Sequence, residues 1–201
     1  MSFTVCPSDV EELAQGDPSA VALENALRKA RAVREQTAGP NRAEAKGQVE
    51  AEVAGGGVGV FRDGMEIAGG GEVITTVLGV DTLVALDEQI YGKPADEHHA
   101  RSTLRALGGR THQVFSGLAL LAAGEERTAV VSTAVSFREL DEPLLDWYLA
   151  TGEWEGRAGG YAIQGAGAVL VRSVNGDYEN VVGLPLARLL DLYPQLLKAC
   201  K

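Results

Sequence analysis

The chain has 201 residues, 28 of them acidic and 18 basic, for a formal charge of −10. Its Lys and Arg residues form no dense block, which excludes a general nucleic-acid binder, because phosphate backbones demand a basic face; an anionic small ligand would need a local cation cluster or a divalent metal. No apolar run reaches the roughly 18 residues needed to span a bilayer, and no basic segment followed by an apolar stretch opens the sequence, so the expectation is a soluble cytoplasmic protein with no membrane partner.

The length fits one domain over residues 1–201, large enough to bury roughly 70% of the surface that its unfolded chain exposes. Cys6 and Cys200 lie near opposite ends without C-x-x-C spacing, so they read as reduced thiols rather than a zinc or redox motif. Asp17-Pro18 predicts a helix over about 18–36, with Asp17 capping free N–H groups and Pro18 in the first helical position. Leu23, Leu27, Ala30 and Arg34 share one face of it, flanked by Ala26 and Val33, which leaves Lys29 off the apolar stripe. Residues 37–76 contain Gly39-Pro40, Gly55-Gly56-Gly57 and Gly69-Gly70-Gly71 and read as a glycine-rich surface insertion with a loose hairpin turning at Asp63-Gly64.

Val77-Leu78-Gly79-Val80-Asp81-Thr82-Leu83-Val84-Ala85-Leu86 is the clearest buried strand, and Asp81 is its only charge. Burying an unpaired carboxylate costs several kcal/mol or more, about enough to exclude it unless hydrogen bonds, a cation, a metal or an opening onto a cleft satisfies it. A plain alternative is an acid satisfied by local backbone and Thr82. Gly92-Lys93-Pro94 makes a turn, Asp96 caps a helix bearing Ala100, Thr103, Leu104 and Leu107, and Gly108-Gly109 ends it. Strands follow at about 111–123 and 127–139, the second placing Val131, Thr133, Val135 and Phe137 on one face, then a helix at about 141–151. Asn175-Gly176, between Ala168–Val171 and Tyr178–Val182, is a strong hairpin signal, and Pro185 starts a last amphipathic helix. Strands and helices interleave with crossovers and hairpins, which predicts an α/β fold with a mixed central sheet flanked by helices.

Four segments then line up: Val80-Asp81-Thr82, Gly92-Lys93-Pro94, Arg110-Thr111-His112-Gln113-Val114-Phe115-Ser116-Gly117, and Ala158-Gly159-Gly160-Tyr161-Ala162-Ile163-Gln164-Gly165. Together with Asn175-Gly176-Asp177-Tyr178 and Val181-Val182-Gly183-Leu184-Pro185 they closely resemble the Maf family of septum-formation-like nucleoside triphosphate pyrophosphatases, from about Phe3 to Leu197. The resemblance implies an elongated mixed sheet with a ligand cleft, as in Maf and inosine-triphosphatase-like proteins. It also implies hydrolysis between the α- and β-phosphates of a nucleoside triphosphate with a divalent metal, Mg²⁺ or Mn²⁺, and leaves room for a homodimer. By match to the family's motifs, Asp81 would be the general base and a metal ligand, Glu12 a second metal ligand, and Lys29 and Lys93 phosphate cations, with Arg157 as a further basic residue. Thr82 and Gln164 would read the base. A glutamine amide offers both a donor and an acceptor, which suits the O4/N3–H edge of thymine or uracil, and Tyr161-x-Ile163-Gln164-Gly165 resembles the branch acting on dTTP and UTP.

Family members begin with a strand and turn reading roughly Leu-Ala-Ser-x-Ser-Pro-Arg-Arg, and this sequence shows no match to it, Phe3-Thr4-Val5 matching the next strand. The expectation is a start at an internal methionine of a longer active protein; the competing reading is a shortened relative of weak or no activity. A non-catalytic nucleotide-binding protein acting in cell-division control is thus the main alternative. A dinucleotide-binding oxidoreductase is disfavoured, because Gly165-Ala166-Gly167-Ala168-Val169-Leu170 lacks the third glycine and precedes a strand-like run. His98, His99 and His112 have no metal-site or triad company in the sequence, and His98-His99 reads as an exposed pair.

Overall fold

A computed structural model describes residues 3–6, 10–37, 58–62, 75–122 and 124–196. In chain order it contains β1 (Phe3–Cys6), α1 (Pro18–Thr37), β2 (Val58–Arg62), β3 (Thr75–Leu86), β4 (Gln89–Tyr91), α2 (Glu97–Leu107), β5 (Thr111–Ala122), β6 (Glu125–Phe137), α3 (Glu142–Leu149), β7 (Val171–Asn175), α4 (Tyr178–Val182) and α5 (Leu186–Leu192). Short 3₁₀ turns at Ala158–Gly160 and Ala166–Leu170 lie between α3 and β7. The described strands make one seven-stranded sheet in the order β1-β2-β3-β5-β6-β7, with β4 also on β3. The α/β sheet with flanking helices is as the sequence predicts. Its ladders are antiparallel throughout the described strands rather than mixed, since the β3–β4 hairpin reverses the chain and α2 returns it for β5 to enter antiparallel to β3.

Asp17 caps α1 as predicted, its Oδ1 accepting the Ala20 N–H at 2.9 Å. The face that α1 buries differs from the predicted stripe: Ala22, Ala26, Ala30 and Val33 are inside, Leu23 and Leu27 are half-buried, and Arg34 is exposed. The reason lies in the sheet. A Cβ at Gly79 would stand 2.2 Å from the Ala26 carbonyl oxygen, and one at Gly117 would stand 2.3 Å from that of Ala22. Two glycines facing an alanine row let the helix backbone lie directly on the strands, a separation that a row of leucines would not allow. Asn25 and Lys29, on the same side of α1, are carried into the interface, so the placement of Lys29 off the buried stripe is corrected: its side chain is 4% exposed.

Period-2 alternation divides β3 between two cores. Val77, Leu83 and Ala85 pack under α1 with Ala119 and Leu121 of β5. Leu78, Val80, Val84 and Leu86 face the other side, where α5 covers one end through Leu189, and α2 and α3 cover the other through Leu104, Leu107, Leu145 and Tyr148. Asp96 caps α2 and Asp141 caps α3, each carboxylate accepting an N–H three residues on.

Two local readings change. Asn175-Gly176 does not close a hairpin: β7 pairs with β6, and Tyr178–Val182 is helical. Asp177 accepts the Glu179 N–H at 2.9 Å, and the fully buried Asn180 amide ties the helix to the sheet, which overrides the strand propensity of Val181-Val182. Val58–Arg62, inside the stretch read as an insertion, is a strand between β1 and β3, while the turn expected at Asp63-Gly64 lies outside the described residues.

Gly117→Val should lower stability by at least about 2 kcal/mol, because the new methyl groups meet helix backbone rather than a movable side chain. Gly92→Ala, where a Cβ meets nothing within 4 Å, should stay within about 0.5 kcal/mol of the parent. Urea unfolding midpoints of the two variants check both.

Candidate active site

β3 is paired along one edge with β5, from Val77 to Ala85. Its other edge meets β2 up to Gly79 and β4 from Val84 onward, so residues 80–83 have no described strand partner there. Asp81 and Thr82 stand in this gap. As neighbours on a strand they point to opposite faces of the sheet.

On the α1 face, Asp81 is 4% exposed and bonded by two side chains. Lys29 Nζ donates to its Oδ1, and Asn25 Nδ2 donates to its Oδ2 at 3.1 Å. Lys29 also reaches Glu12 Oε1 at 2.7 Å, and Lys93 stands 3.8 Å from the same oxygen. Asn25 holds the Glu12 loop in register: its Oδ1 accepts the Leu13 N–H at 2.8 Å, and its Nδ2 donates to the Leu13 carbonyl at 3.1 Å. Asp81 can remain in a strand core because the helix delivers an ammonium and an amide to it. Gly117 opposes Asp81 across the β3–β5 ladder and leaves room for that delivery.

Burial is the largest influence on Asp81 and raises its pKa, outweighing the Lys29 charge and hydrogen bond and the Asn25 amide. The buried carboxylate is therefore a stronger base than an exposed aspartate. Burial works against the Lys29 charge too, but Asp81 and Glu12 more than compensate and hold the ammonium protonated. Glu12, partly desolvated but bonded to Lys29 and facing Lys93, is kept below the usual carboxylate range.

Glu12 and Asp81 also meet the needs of a hard divalent cation. They are two converging carboxylates bridged by one ammonium, and no group of three His, Cys, Asp or Glu suited to a metal occurs among the described residues. A cation such as Mg²⁺ is commonly held by one or two carboxylates, with water and substrate phosphates completing its shell, so the donor set fits.

On the opposite face, Thr82, Arg157, Tyr161, Gln164 and Val182 line a pocket. One wall includes Ala158 of the Ala158–Gly160 turn, where Gly159 and Gly160 take φ of 68° and 70°, and a Cβ on Gly159 would stand 2.8 Å from Val84. The Gly159 N–H donates to the Gly92 carbonyl at 3.1 Å, so the loop that aims Lys93 at Glu12 also fastens this wall. The sequence-predicted residues thus fall into two groups: Glu12, Lys29, Asp81 and Lys93 on one face, and Thr82, Arg157 and Gln164 on the other. His98 and His99 are exposed and join neither.

Sequence reasoning missed Asn25, Ser116 and Asn180. Ser116 and Asn180 are wholly buried under Thr82, which bonds Ser116 Oγ at 2.8 Å. The one available signal for Asn25 was its four-residue spacing from Lys29, which places both on one helix side. His112 is buried below the pocket, its Nε2 2.9 Å from the Tyr161 hydroxyl, with Phe137 edge-on at 4.8 Å. Burial alone pushes its pKa down to about 4.

A family model described as Maf-like protein matches residues 1–196. Among curated relatives, the chain is 44% identical over 117 residues to a dTTP/UTP pyrophosphatase of Pyrococcus furiosus, covering 58% of this chain and 62% of that protein. It is 47% identical over 119 residues to one of Symbiobacterium thermophilum, covering 59% and 61%. With one of Thermococcus onnurineus the match is longer, 38% over 185 residues, covering 92% and 81%. Against the first two, the chain spans about three-fifths of the relative's length. No helix among the described residues is long and apolar enough to cross a membrane.

Lys29→Met should cost about 3–5 kcal/mol by leaving Asp81 buried without its cation, and adding Asp81→Asn should recover much of that loss. Chemical denaturation of both singles and the double checks this. His112 gives a pH dependence of definite sign: below its ordinary value near 6.5 the unfolded chain takes up a proton that the folded site refuses until about 4. Its contribution is thus intact above about 6.5 and falls by about 3 kcal/mol as pH drops to about 4. In His112→Gln, stability measured across that window should lose up to about one proton's worth of slope.

Proposed function

The chain belongs to the Maf-like family, and from that premise we propose that it is a nucleoside triphosphate pyrophosphatase acting on dTTP and UTP. The observation that carries the reading is the pairing, across one gap in β3, of a cation-neutralised carboxylate cluster around the buried Asp81 with a pocket lined by Thr82, Gln164 and Arg157. The relatives named above support the substrate pair.

In this reading the base enters the pocket, where the Gln164 amide offers both a donor and an acceptor to a thymine or uracil edge. Arg157, at the pocket rim, and Lys93, half-exposed beyond β4, supply positive charge toward the phosphates. Asp81 accepts a proton from water as the water oxygen attacks the α-phosphorus. The bond to the α–β bridging oxygen breaks, leaving pyrophosphate and a nucleoside monophosphate. Lys29 holds the Asp81 carboxylate in place and offsets its charge, and Asn25 fixes its second oxygen.

A divalent cation would be held by Glu12 and Asp81, and when bound there it offsets the crowded negative charge of the phosphates. Lys29, Lys93, Glu12 and Asp81 sum to no net charge, so the cluster alone gives a triphosphate little attraction in a molecule of formal charge −10. That balance is a physical reason for the reaction to use a metal.

The test is pyrophosphate release from dTTP, UTP, CTP, dATP and GTP with Mg²⁺ or Mn²⁺. Turnover of dTTP and UTP well above the others is expected, and Asp81→Asn should lose roughly a thousandfold in kcat while still binding a non-hydrolysable triphosphate. Binding without turnover in the parent chain would overturn the enzyme reading in favour of a nucleotide-binding protein. Full activity in Asp81→Asn would remove Asp81 from the role of base.

A further inference from the structure

Thr82 lines the pocket, and its hydroxyl is bonded from behind. Its Oγ1 lies 2.8 Å from Ser116 Oγ and 3.4 Å from the Gly183 carbonyl oxygen. Ser116 Oγ in turn lies 3.3 Å from the Asn180 carbonyl oxygen. Carbonyl oxygens only accept, so the polarity of the chain is restricted. Two arrangements satisfy both the 2.8 Å contact and a carbonyl: Thr82 donates to Ser116 and Ser116 to the Asn180 carbonyl, or Ser116 donates to Thr82 and Thr82 to the Gly183 carbonyl, whereas a Thr82 proton turned to the pocket gives up the Gly183 contact. Both arrangements spend both hydroxyl protons inside the protein and leave Thr82 with only lone pairs for the pocket.

The two carbonyls are themselves fixed. Asn180 Nδ2 donates to the Val114 carbonyl and to Thr133 Oγ1, each at 3.0 Å, and Thr133 Oγ1 donates to the Asp177 carbonyl at 3.0 Å. Gly183, at φ 126°, closes α4 with its N–H on the Glu179 carbonyl at 3.0 Å. Ser116, Thr133 and Asn180 are at most 1% exposed, so water does not reorder the chain from behind.

We infer that Ser116 and Asn180 are positioning residues that hold the Thr82 hydroxyl as a hydrogen-bond acceptor toward the pocket, so that the ligand group facing Thr82 has to be a donor. The inference rests on the base-pocket reading above and adds a discrimination to it. The one polar donor on a uracil or thymine ring is the N3 proton, which in this arrangement goes to Thr82 while the Gln164 amide donates to O4, whereas cytosine presents a bare N3 acceptor. An acceptor set against the Thr82 lone pairs leaves two polar atoms unsatisfied in a confined site, which is how sites built for a donor reject its isosteres.

The experiment is calorimetric binding of the α,β-methylene analogues of UTP and CTP, with Mg²⁺, to the parent chain, Ser116→Ala, Thr82→Val and the double variant. The parent should prefer the UTP analogue. Ser116→Ala frees the Thr82 proton to turn into the pocket, so the preference should shrink about tenfold, chiefly through tighter CTP binding. Thr82→Val should shrink it as well, and Ser116→Ala on that background should change nothing further, since Ser116 acts through Thr82. A folded Ser116→Ala with an unchanged preference overturns the inference, as does an effect that adds in full to that of Thr82→Val. A parent with no preference for UTP overturns it without recourse to any variant. Failure of the parent to bind either analogue removes the nucleotide reading itself, and the inference with it.

Discussion

The close seat of α1 on β3 and β5 governs the rest of the molecule. Gly79 and Gly117 present bare backbone to a helix side made of Ala22, Ala26 and Ala30, and the carbonyl oxygens of the helix occupy the space that side chains would fill. The contact contributes its share of apolar burial, but its structural importance is positional. It lowers Asn25 and Lys29 onto Asp81, and so a carboxylate that would be intolerable alone in a strand core acquires two donors. An interhelical or helix-sheet pair of that kind is a poor source of net stability, because desolvation offsets most of the attraction. What it secures is a carboxylate of raised basicity held at a defined place.

A band of polar groups crosses the interior at the same height on both faces of the sheet. Under α1 it consists of Asp81, Asn25 and Lys29, and it separates the apolar cluster around Val77 from that around Leu83. On the other face it consists of Thr82, Ser116, Thr133 and Asn180, between the cluster under α5 and the cluster under α2 and α3. The bands meet where β3 has no outer strand partner among the described residues. Polar groups are costly in a core unless bonded, and here nearly all are bonded to one another or to backbone. Within the second band and its surroundings, His112 Nδ1 and Asn180 Oδ1 are the buried side-chain atoms left without a partner.

The loop after β4 couples the two faces. Lys93 approaches Glu12 on one side, while the Gly92 carbonyl holds Gly159 and with it the glycine-rich wall of the pocket on the other. Movement of that loop would alter both the charge near the carboxylates and the shape around Gln164. The fold thus gives a short segment influence over both halves of the site.

Strong local signals were readable from the sequence. Asp17-Pro18 and Asp96 mark helix starts because their carboxylates cap N–H groups within three residues, and the run around Asp81 reads most clearly as a buried strand. The odd charge in that run, with the ordered motifs around it, carried the family likeness and the charged residues later found at the gap, but not Asn25, Ser116 or Asn180. Local chemistry failed where a distant partner decided. Leucines suggested the inner face of α1, but two glycines in strands some fifty and ninety residues away selected the alanine face, and Lys29 went inside with it. Asn175-Gly176 signalled a hairpin, but the Asn180 amide, bonded to Val114 and Thr133 of other strands, made the following run a helix. The sequence by itself determined which segments form elements and which residue types are available for chemistry, since capping, alternation and the cost of a buried charge act over a few residues. Only the tertiary structure decided which side chains share a proton, because Lys29 with Asp81 and Thr82 with Ser116 meet through packing that no local pattern encodes.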